Sequence, residues 1–424
     1  MGDTSHSHTH GGEPCGGHGH DHGHSHGHTH DGQPCTGHGD LDSQEVRDAQ
    51  AEAQAMTDVV AAFLYYKTYS LNTAIYRRLH SIDELSEEHR KIVSSLGTID
   101  KIKKAEELLR ENYKFILNLT YANTVGSMPN PNEDPDKLRE FLKMFFAYRE
   151  RTSGKPAKDH HMDKVISTLK QFVRDWSVEG KAERETTYGP IMQALDDEFA
   201  DTRPEERGKI NVLVPGAGLG RLAYDICCRG FSAQGNEFSY FMLFASNFVL
   251  NKVEQPEEIT IYPFVHQFSN VANVDDQMRA VRIPDVLPSE LPYKDTADFS
   301  MTAGDFIEVY GDDEEKESWD AIVTCFFMDT AKNAIKYLET MWHAMKPGAV
   351  WINLGPLLWH FDNIEGEESV EFTRDEFVQL AKEIGFVFDE SKFRDDVPAT
   401  YTANSKSMLH YTYSTFFSVA HKPK

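Results

Sequence analysis

The stretch Asn211-Val-Leu-Val-Pro-Gly-Ala-Gly-Leu-Gly-Arg221 constrains the fold more than any other part of the chain. A short β-branched run leads into three glycines at alternate positions, and a helical pattern, Arg221-Leu-Ala-Tyr-Asp-Ile226, follows at once. Glycine tolerates left-handed backbone and lets main-chain N–H groups approach a ligand at the start of a helix. A tight strand-to-helix turn with no ligand leaves the same signature, so the neighbouring segments have to decide between the two.

From Arg203-Pro204 onward, short apolar runs alternate with helical stretches, the pattern of a parallel sheet with crossovers. Strands are expected at 210–214, 231–236, 298–302, 319–327 and 350–354, with 386–388 and 411–420 as a closing pair. The fold class is therefore α/β, a Rossmann-like seven-stranded sheet with its last strand antiparallel. Upstream, apolar positions recur near a 3.6-residue period, as in Val59-Val-Ala-Ala-Phe-Leu-Tyr-Tyr66. Three regions are expected: a tail over 1–40, a helical accessory domain over 41–200, and the sheet domain over 201–424 with an insert at 239–298.

Eleven of the 20 histidines fall within residues 1–40, where Ser5-His-Ser-His-Thr-His-Gly-Gly-Glu-Pro-Cys15 recurs as Ser25-His-Gly-His-Thr-His-Asp-Gly-Gln-Pro-Cys35. Such a tract has too little apolar surface to offset the entropy of ordering, so it is expected to be disordered. Its imidazoles and thiols suit adventitious binding of Zn²⁺, Ni²⁺ or Cu²⁺ rather than a catalytic metal site. The 43 basic residues against 68 acidic ones, a formal charge of −25, argue against a phosphate backbone as partner and favour a small molecule or peptide. No apolar run approaches the ~20 residues of a membrane helix, and the five cysteines form no disulfide framework. A cytoplasmic location is expected, with the nucleus as a second compartment.

About twenty residues past Gly216, the next expected strand ends at Gly235-Asn-Glu237, where doubly wound nucleotide-binding folds place an acid on ribose hydroxyls. A surface carboxylate at a strand end is the plainer alternative for Glu237. The third strand ends in Gly304-Asp305-Phe306, suited to an adenine whose exocyclic N–H meets a carboxylate while a ring or a backbone N–H covers the base. An ordinary strand-end acid beside a core aromatic would read the same way. Cys325 stands at the end of the fourth strand, either in the ligand crevice or as a small buried hydrophobe. The loop Gly216-Ala-Gly-Leu-Gly220 is shorter than the usual dinucleotide loop, which favours S-adenosylmethionine over NAD. The strand layout is that of a class I methyltransferase.

Several longer segments closely resemble the carnosine N-methyltransferase family of eukaryotes: Ser167-Thr-Leu-Lys-Gln-Phe-Val-Arg-Asp-Trp-Ser177, Gln234-Gly-Asn-Glu237, His266-Gln-Phe-Ser-Asn270 and Trp351-Ile-Asn-Leu-Gly-Pro-Leu-Leu-Trp-His-Phe361. The likeness runs in order from about residue 160 to 422 and leaves out the tail. It implies methyl transfer from S-adenosylmethionine to an imidazole nitrogen of carnosine, giving anserine, and a homodimer. Carried over position by position, the cofactor residues are Gln171, Arg174, Gly216, Glu237, Asp305, Phe306 and Cys325. The substrate residues are Asp329, His360 and Tyr413, with Tyr411 as a further lining residue; Asp329 and His360 are also the catalytic pair.

Chemistry agrees with those assignments. Gln171 and Arg174, three apart on a helix, share a face, and a guanidinium suits the methionine carboxylate. An imidazole that attacks a methylsulfonium must be neutral at one nitrogen and protonated at the other. Asp329 is placed to accept that N–H and to stabilise the imidazolium as it forms, and His360 to hydrogen-bond the substrate or take a proton. For His360 a structural role, and for the tyrosines core packing, remain the plain alternatives. His266 and Asn270, in the insert, are weak candidates for lining a substrate mouth. Two other functions fit the same residues less closely: methylation of a protein histidine, and a non-enzymatic metal-binding role for the tail.

Overall fold

The computed structural model describes residues 39–124 and 159–424 except positions 363 and 367, together with isolated positions between 136 and 157. The His-rich tail through residue 38 and the expected loops at 127–135 and 153–156 lie outside the described residues. Helices occupy the first half: α1 Gly39–Ser70, α2 Arg77–Asp83, α3 Glu87–Ser95, α4 Thr98–Thr124, α5 Asp159–Trp176 and α6 Lys181–Glu198. A single π-helical turn, Leu71–Tyr76, joins α1 to α2.

The second half carries β1 Asn211–Pro215, α7 Arg221–Cys227, β2 Ser232–Glu237, α8 Tyr240–Asn251, β3 Ile259–Ile261, α9 Val274–Met278, β4 Val281–Ile283 and β5 Phe299–Ala303. There follow α10 Phe306–Tyr310, β6 Trp319–Cys325, α11 Ala334–Ala344, β7 Met345–Gly355, α12 Arg374–Ile384, β8 Val387–Phe388, β9 Arg394–Ala399 and β10 Tyr413–His421. The main sheet runs β5-β2-β1-β6-β7-β10-β8, with β9 on the free part of β10. Pairing is parallel from β5 through β7, and β10 alone reverses against β7, β8 and β9. The order reverses beside β1, which opens a crevice over the carboxyl ends of β1 and β6.

All seven expected strands are present. The sheet has one more, β9, whose sequence Arg-Asp-Asp-Val-Pro-Ala carries two acids and a proline; such a strand is tolerated only at an edge. β10 begins at Tyr413 rather than 411, so Tyr411 and Tyr413 do not share a strand face, and Tyr411 is 67 % exposed. β6 ends at Cys325, short of 327, because Phe326 turns to a left-handed φ of 54°.

Three buried clusters flank the sheet: one, with Phe306 and Tyr310 of α10, Leu338 of α11 and Phe377 of α12, packs those helices on Trp351 of β7, and two others position the site. Tyr188, Ile191 and Leu195 of α6 pack with Val212, Val323, Ile352 and Val419 of the strands, so α6 belongs to the sheet's own layer. Phe63 of α1, Phe115 of α4, Phe172 of α5 and Phe241, Phe244 and Phe248 of α8 form the other core, with Ile261 and Phe264 of the insert. The insert thus pairs β3 with β4 and fastens the early helices to the sheet domain. Helix α5 takes part in this core through its apolar face and meets the crevice with its last turn.

Candidate active site

The glycine turn is built as its sequence requires. Gly216, Gly218 and Gly220 all have left-handed φ, at 64°, 57° and 81°. A methyl group on Gly216 would sit 2.6 Å from the ring of Phe327, whereas one on Gly218 would meet Gln171 and Asp175 only at ordinary contact distance. A side chain is therefore disfavoured at Gly216 by backbone angle and by space, and at Gly218 by backbone angle alone.

Glu237 ends β2 and tightens this turn. One carboxylate oxygen accepts the Gly218 N–H at 2.9 Å, and the other accepts from Phe238 and Ser239 at 2.9 and 2.8 Å. Burial raises its pKa, and the three N–H groups counter that shift. Next to it, Asp305 caps α10, accepting from Ile307 at 2.8 Å. The ring of Phe306 is 3 % exposed and meets Phe327 and Tyr337 edge-on. That ring is core and cannot cover a base, so Phe306 can face a ligand only through its backbone.

Beneath the turn, Gln171, Arg174, Gly216, Gly218 and Cys325 line one small cavity with Tyr188 and Tyr401. The Arg174 guanidinium is buried, bonds Asp175 and Tyr188 at 2.7 Å each, and lies 4.7 Å from the centre of the Tyr401 ring. Its Nε stands 3.0 Å from Glu183 Oε1, yet it lacks an aligned hydrogen-bond acceptor. Gln171 bonds the other oxygen of Asp175 at 2.9 Å. Burial pushes the Cys325 thiol up to about 11, so it is protonated and inert as a nucleophile.

A buried ionic clamp holds the end of α5 in this position. Arg184 donates to the carbonyls of Arg174 and Ser177 at 2.6 and 2.9 Å, and Arg221 donates to that of Asp175 at 2.8 Å. Asp285 of the insert pairs with both arginines, at 2.5 and 2.6 Å, and its own N–H caps the Trp176 carbonyl at 2.9 Å. The orphan carbonyls of the helix end are thereby satisfied by two guanidinium groups and one backbone N–H.

Beyond Phe326 the site changes character. Its ring packs on Tyr401 at 5.0 Å and edge-on to Tyr413 at 5.6 Å, so it stands between the glycine-side cavity and Tyr413. A left-handed phenylalanine is rare, and such strain persists where its surroundings over-determine it. Asp329 follows in the turn Met328–Thr330 and is 3 % exposed. Burial pushes its carboxyl up to about 7, although the Leu358 N–H bonds it at 3.0 Å. The Asp329 carbonyl accepts the His360 N–H at 3.0 Å, so the loops after β6 and β7 are stitched together there. His360 stands exposed at the rim, and the protein around its ring lowers its pKa below the ordinary imidazole value. Burial and the nearby Asp329 charge raise that of Tyr413.

Two weaker candidates lie elsewhere. His266 is half-buried where the insert meets the early helices, its Nε2 2.8 Å from the Tyr66 hydroxyl. The surrounding protein drives its pKa down to about 3, so its imidazole is neutral and held by Tyr66, away from the glycine-side cavity. Asn270 offers its backbone carbonyl to Met408 at 2.8 Å, which anchors the β9–β10 loop.

The carnosine N-methyltransferase family model matches residues 152–424. Carnosine N-methyltransferase of Rattus norvegicus is 41 % identical over 383 residues, covering 89 % of this chain and 88 % of its own. The chain belongs to the carnosine N-methyltransferase family. The enzyme of that name from Schizosaccharomyces pombe is 37 % identical over 385 residues, with 88 % of this chain and 97 % of the relative covered. Among solved structures, a SAM-dependent methyltransferase from Methanosarcina mazei matches at 13 % identity and a TM-score of 0.33, over 51 % of this chain and 93 % of that one.

As a member of this family, the chain is an S-adenosylmethionine-dependent enzyme that methylates carnosine. The residues present fit the cofactor: a turn of three left-handed glycines, a buried guanidinium with an unaligned N–H, and a strand-end carboxylate already bonded to that turn. Tyr188, Tyr401, Phe326, Asp175 and Glu183 also build the site, and local sequence carries no signal for any of them. Among the described residues, no group of three or more His, Cys, Asp or Glu is arranged for a metal ion, and no helix is long and apolar enough to cross a membrane.

Proposed function

We propose that this site divides the reaction between two walls that meet at Phe326. Gln171, Arg174, Gly216, Glu237, Asp305, the backbone of Phe306, and Cys325 hold S-adenosylmethionine. Asp329, His360 and Tyr413 hold the imidazole, with Tyr411 left at the outer rim. S-adenosylmethionine, when bound, supplies an electrophilic methyl group on a sulfonium. The protein's work is to present a neutral imidazole in one tautomer and to keep water out.

Asp329 carries the proposal. Its ionised form accepts the N–H of the acceptor ring, which leaves the other nitrogen with its lone pair free to attack. As the nitrogen–carbon bond forms, positive charge develops on the ring, and a carboxylate in a dry pocket stabilises that charge far better than water does. His360, neutral at the rim, is placed to accept the proton the product sheds or to bond the peptide portion. Phe326, Tyr401 and Tyr413 exclude water on the flat sides of the pocket.

Glu237→Ala is expected to weaken S-adenosylmethionine binding by about tenfold or more, because it removes both a ligand and the brace on the glycine turn. Calorimetric titration of the cofactor checks this; unchanged affinity would remove Glu237 from the cofactor wall. The resemblance supports a homodimer, the cysteine pattern supports a reducing, cytoplasmic location with the nucleus as a second compartment, and the alternating imidazoles and thiols support metal binding by the tail apart from catalysis. Deleting residues 1–40 should leave carnosine turnover within about twofold, because the family likeness and every proposed site residue lie outside that tract. A larger loss in a steady-state assay would give the tail a role in the reaction.

A further inference from the structure

Glu183, in the first turn of α6, is the point where the cofactor wall and the β9–β10 loop are tied together. Its Oε1 lies 3.0 Å from Arg174 Nε and accepts the Thr402 N–H at 2.8 Å. Its Oε2 accepts from the Thr400 hydroxyl and the Ala403 N–H, each at 3.1 Å. Two successive backbone donors converging on one anion form a small concave nest. Forming it requires Thr402 to adopt a φ of 51°, a costly conformation for a β-branched residue. The residue inside this tethered segment, Tyr401, rests on both Arg174 and Phe326 and lines the cavity. Further along, Asn404 receives Arg279 at 2.7 Å and Met408 bonds Asn270, so the outer part of the loop is fastened to the insert independently.

We propose that Glu183 is a positioning residue: it holds the 400–403 segment closed by offsetting the strain at Thr402, so that Tyr401 seats Arg174 on one side and Phe326 on the other. It touches neither reactant. Because one carboxylate fixes both the guanidinium and the loop, loosening it degrades the cofactor wall and the acceptor wall together. This rests on the two-walled site proposed above. It differs in placing control of both walls in a residue outside them.

The test is Glu183→Gln in the full chain, which keeps an acceptor oxygen but removes the charge and turns an amide N–H toward the nest. A loop held less tightly populates the closed form less, so apparent affinities fall while saturated turnover survives. The expected result is a rise of about tenfold in KM for both S-adenosylmethionine and carnosine with kcat within about threefold. Amide exchange at Thr402 and Ala403 should accelerate by about tenfold or more while the β1 and β6 amides stay protected. Should Glu183→Gln fail to fold, Thr400→Val removes only one donor and should give the same pattern at about a third of the size. Unchanged exchange at Thr402 and Ala403, a rise in one KM alone, or a loss confined to kcat would each overturn the proposal. An active Asp329→Asn enzyme would instead refute the acceptor assignment and leave the exchange readout for Glu183 standing.

Discussion

Replacing Asp329 by asparagine is expected to lower kcat for carnosine methylation by about 10²–10⁴-fold while S-adenosylmethionine affinity stays within about twofold. Asparagine keeps the shape and can still receive the Leu358 N–H through its oxygen, so the loop stitched to His360 persists. What disappears is the negative charge opposite the developing imidazolium. A loss of cofactor binding instead would mean that the two walls are wrongly divided.

The same substitution has a consequence for stability, with the opposite sign. The Asp329 pKa is raised, from an ordinary carboxylate value to about 7, by burial. A group raised on folding adds stability that is fully present below its unfolded pKa and is lost as pH climbs through the folded one. Above pH 7 the wild-type protein therefore carries an ionised carboxylate in a dry pocket. At pH 8, Asp329→Asn should be more stable by on the order of 2–4 kcal/mol, and this advantage should shrink toward pH 4. Thermal melts of both proteins across that range measure it. A stability cost in the ionised form is the trade expected of the catalytic role proposed for Asp329.

The second large effect concerns Asp285, far from the reacting atoms. Arg184 and Arg221 are both buried beside it, with side-chain exposures of 6 % and 9 %. Asp285→Ala leaves two guanidinium groups in the interior without their shared carboxylate, and removing one partner of such a pair typically costs about 3–5 kcal/mol. Arg221 retains Asp225 at 2.8 Å, which places the expected loss at the lower end, near 3 kcal/mol. The remainder of the clamp still caps α5, but less rigidly, so S-adenosylmethionine affinity should fall as well. Chemical denaturation with and without cofactor separates the two. A stability change under about 1 kcal/mol would show that the clamp is dispensable.

Legibility of the site in the sequence followed distance along the chain. Gly216 and Glu237 are visible because a strand, a turn and the next strand end lie within about twenty residues, and the doubly wound fold fixes their relation. Arg174 reads as a surface charge by local pattern; only the family resemblance marked it, since its burial depends on Asp175, Tyr188 and Glu183 closing around it. Tyr401 and Phe326 left no trace because they are single aromatics in loops whose partners, Arg174 and Tyr413 among them, come from distant elements. Strand β9 was hidden by Asp395, Asp396 and Pro398, which no buried strand would carry but an edge strand tolerates. His266 shows what local pattern misses: its polar, aromatic surroundings suggest a ligand mouth, whereas its ring partner, Tyr66, comes from a helix 200 residues upstream.

The pH dependence of kcat/KM for carnosine, in the wild-type enzyme and in Asp329→Asn, tests the account most directly. On the proposed assignment, productive encounter requires an ionised Asp329 and a neutral acceptor imidazole, whose ordinary pKa is about 6.5. With Asp329 near 7, log(kcat/KM) in the wild type should fall below pH 6 with a limiting slope approaching 2, one proton for each group. In Asp329→Asn the residual activity should fall with a slope of 1, because only the substrate still titrates. The same slope in both proteins would contradict the role assigned to Asp329.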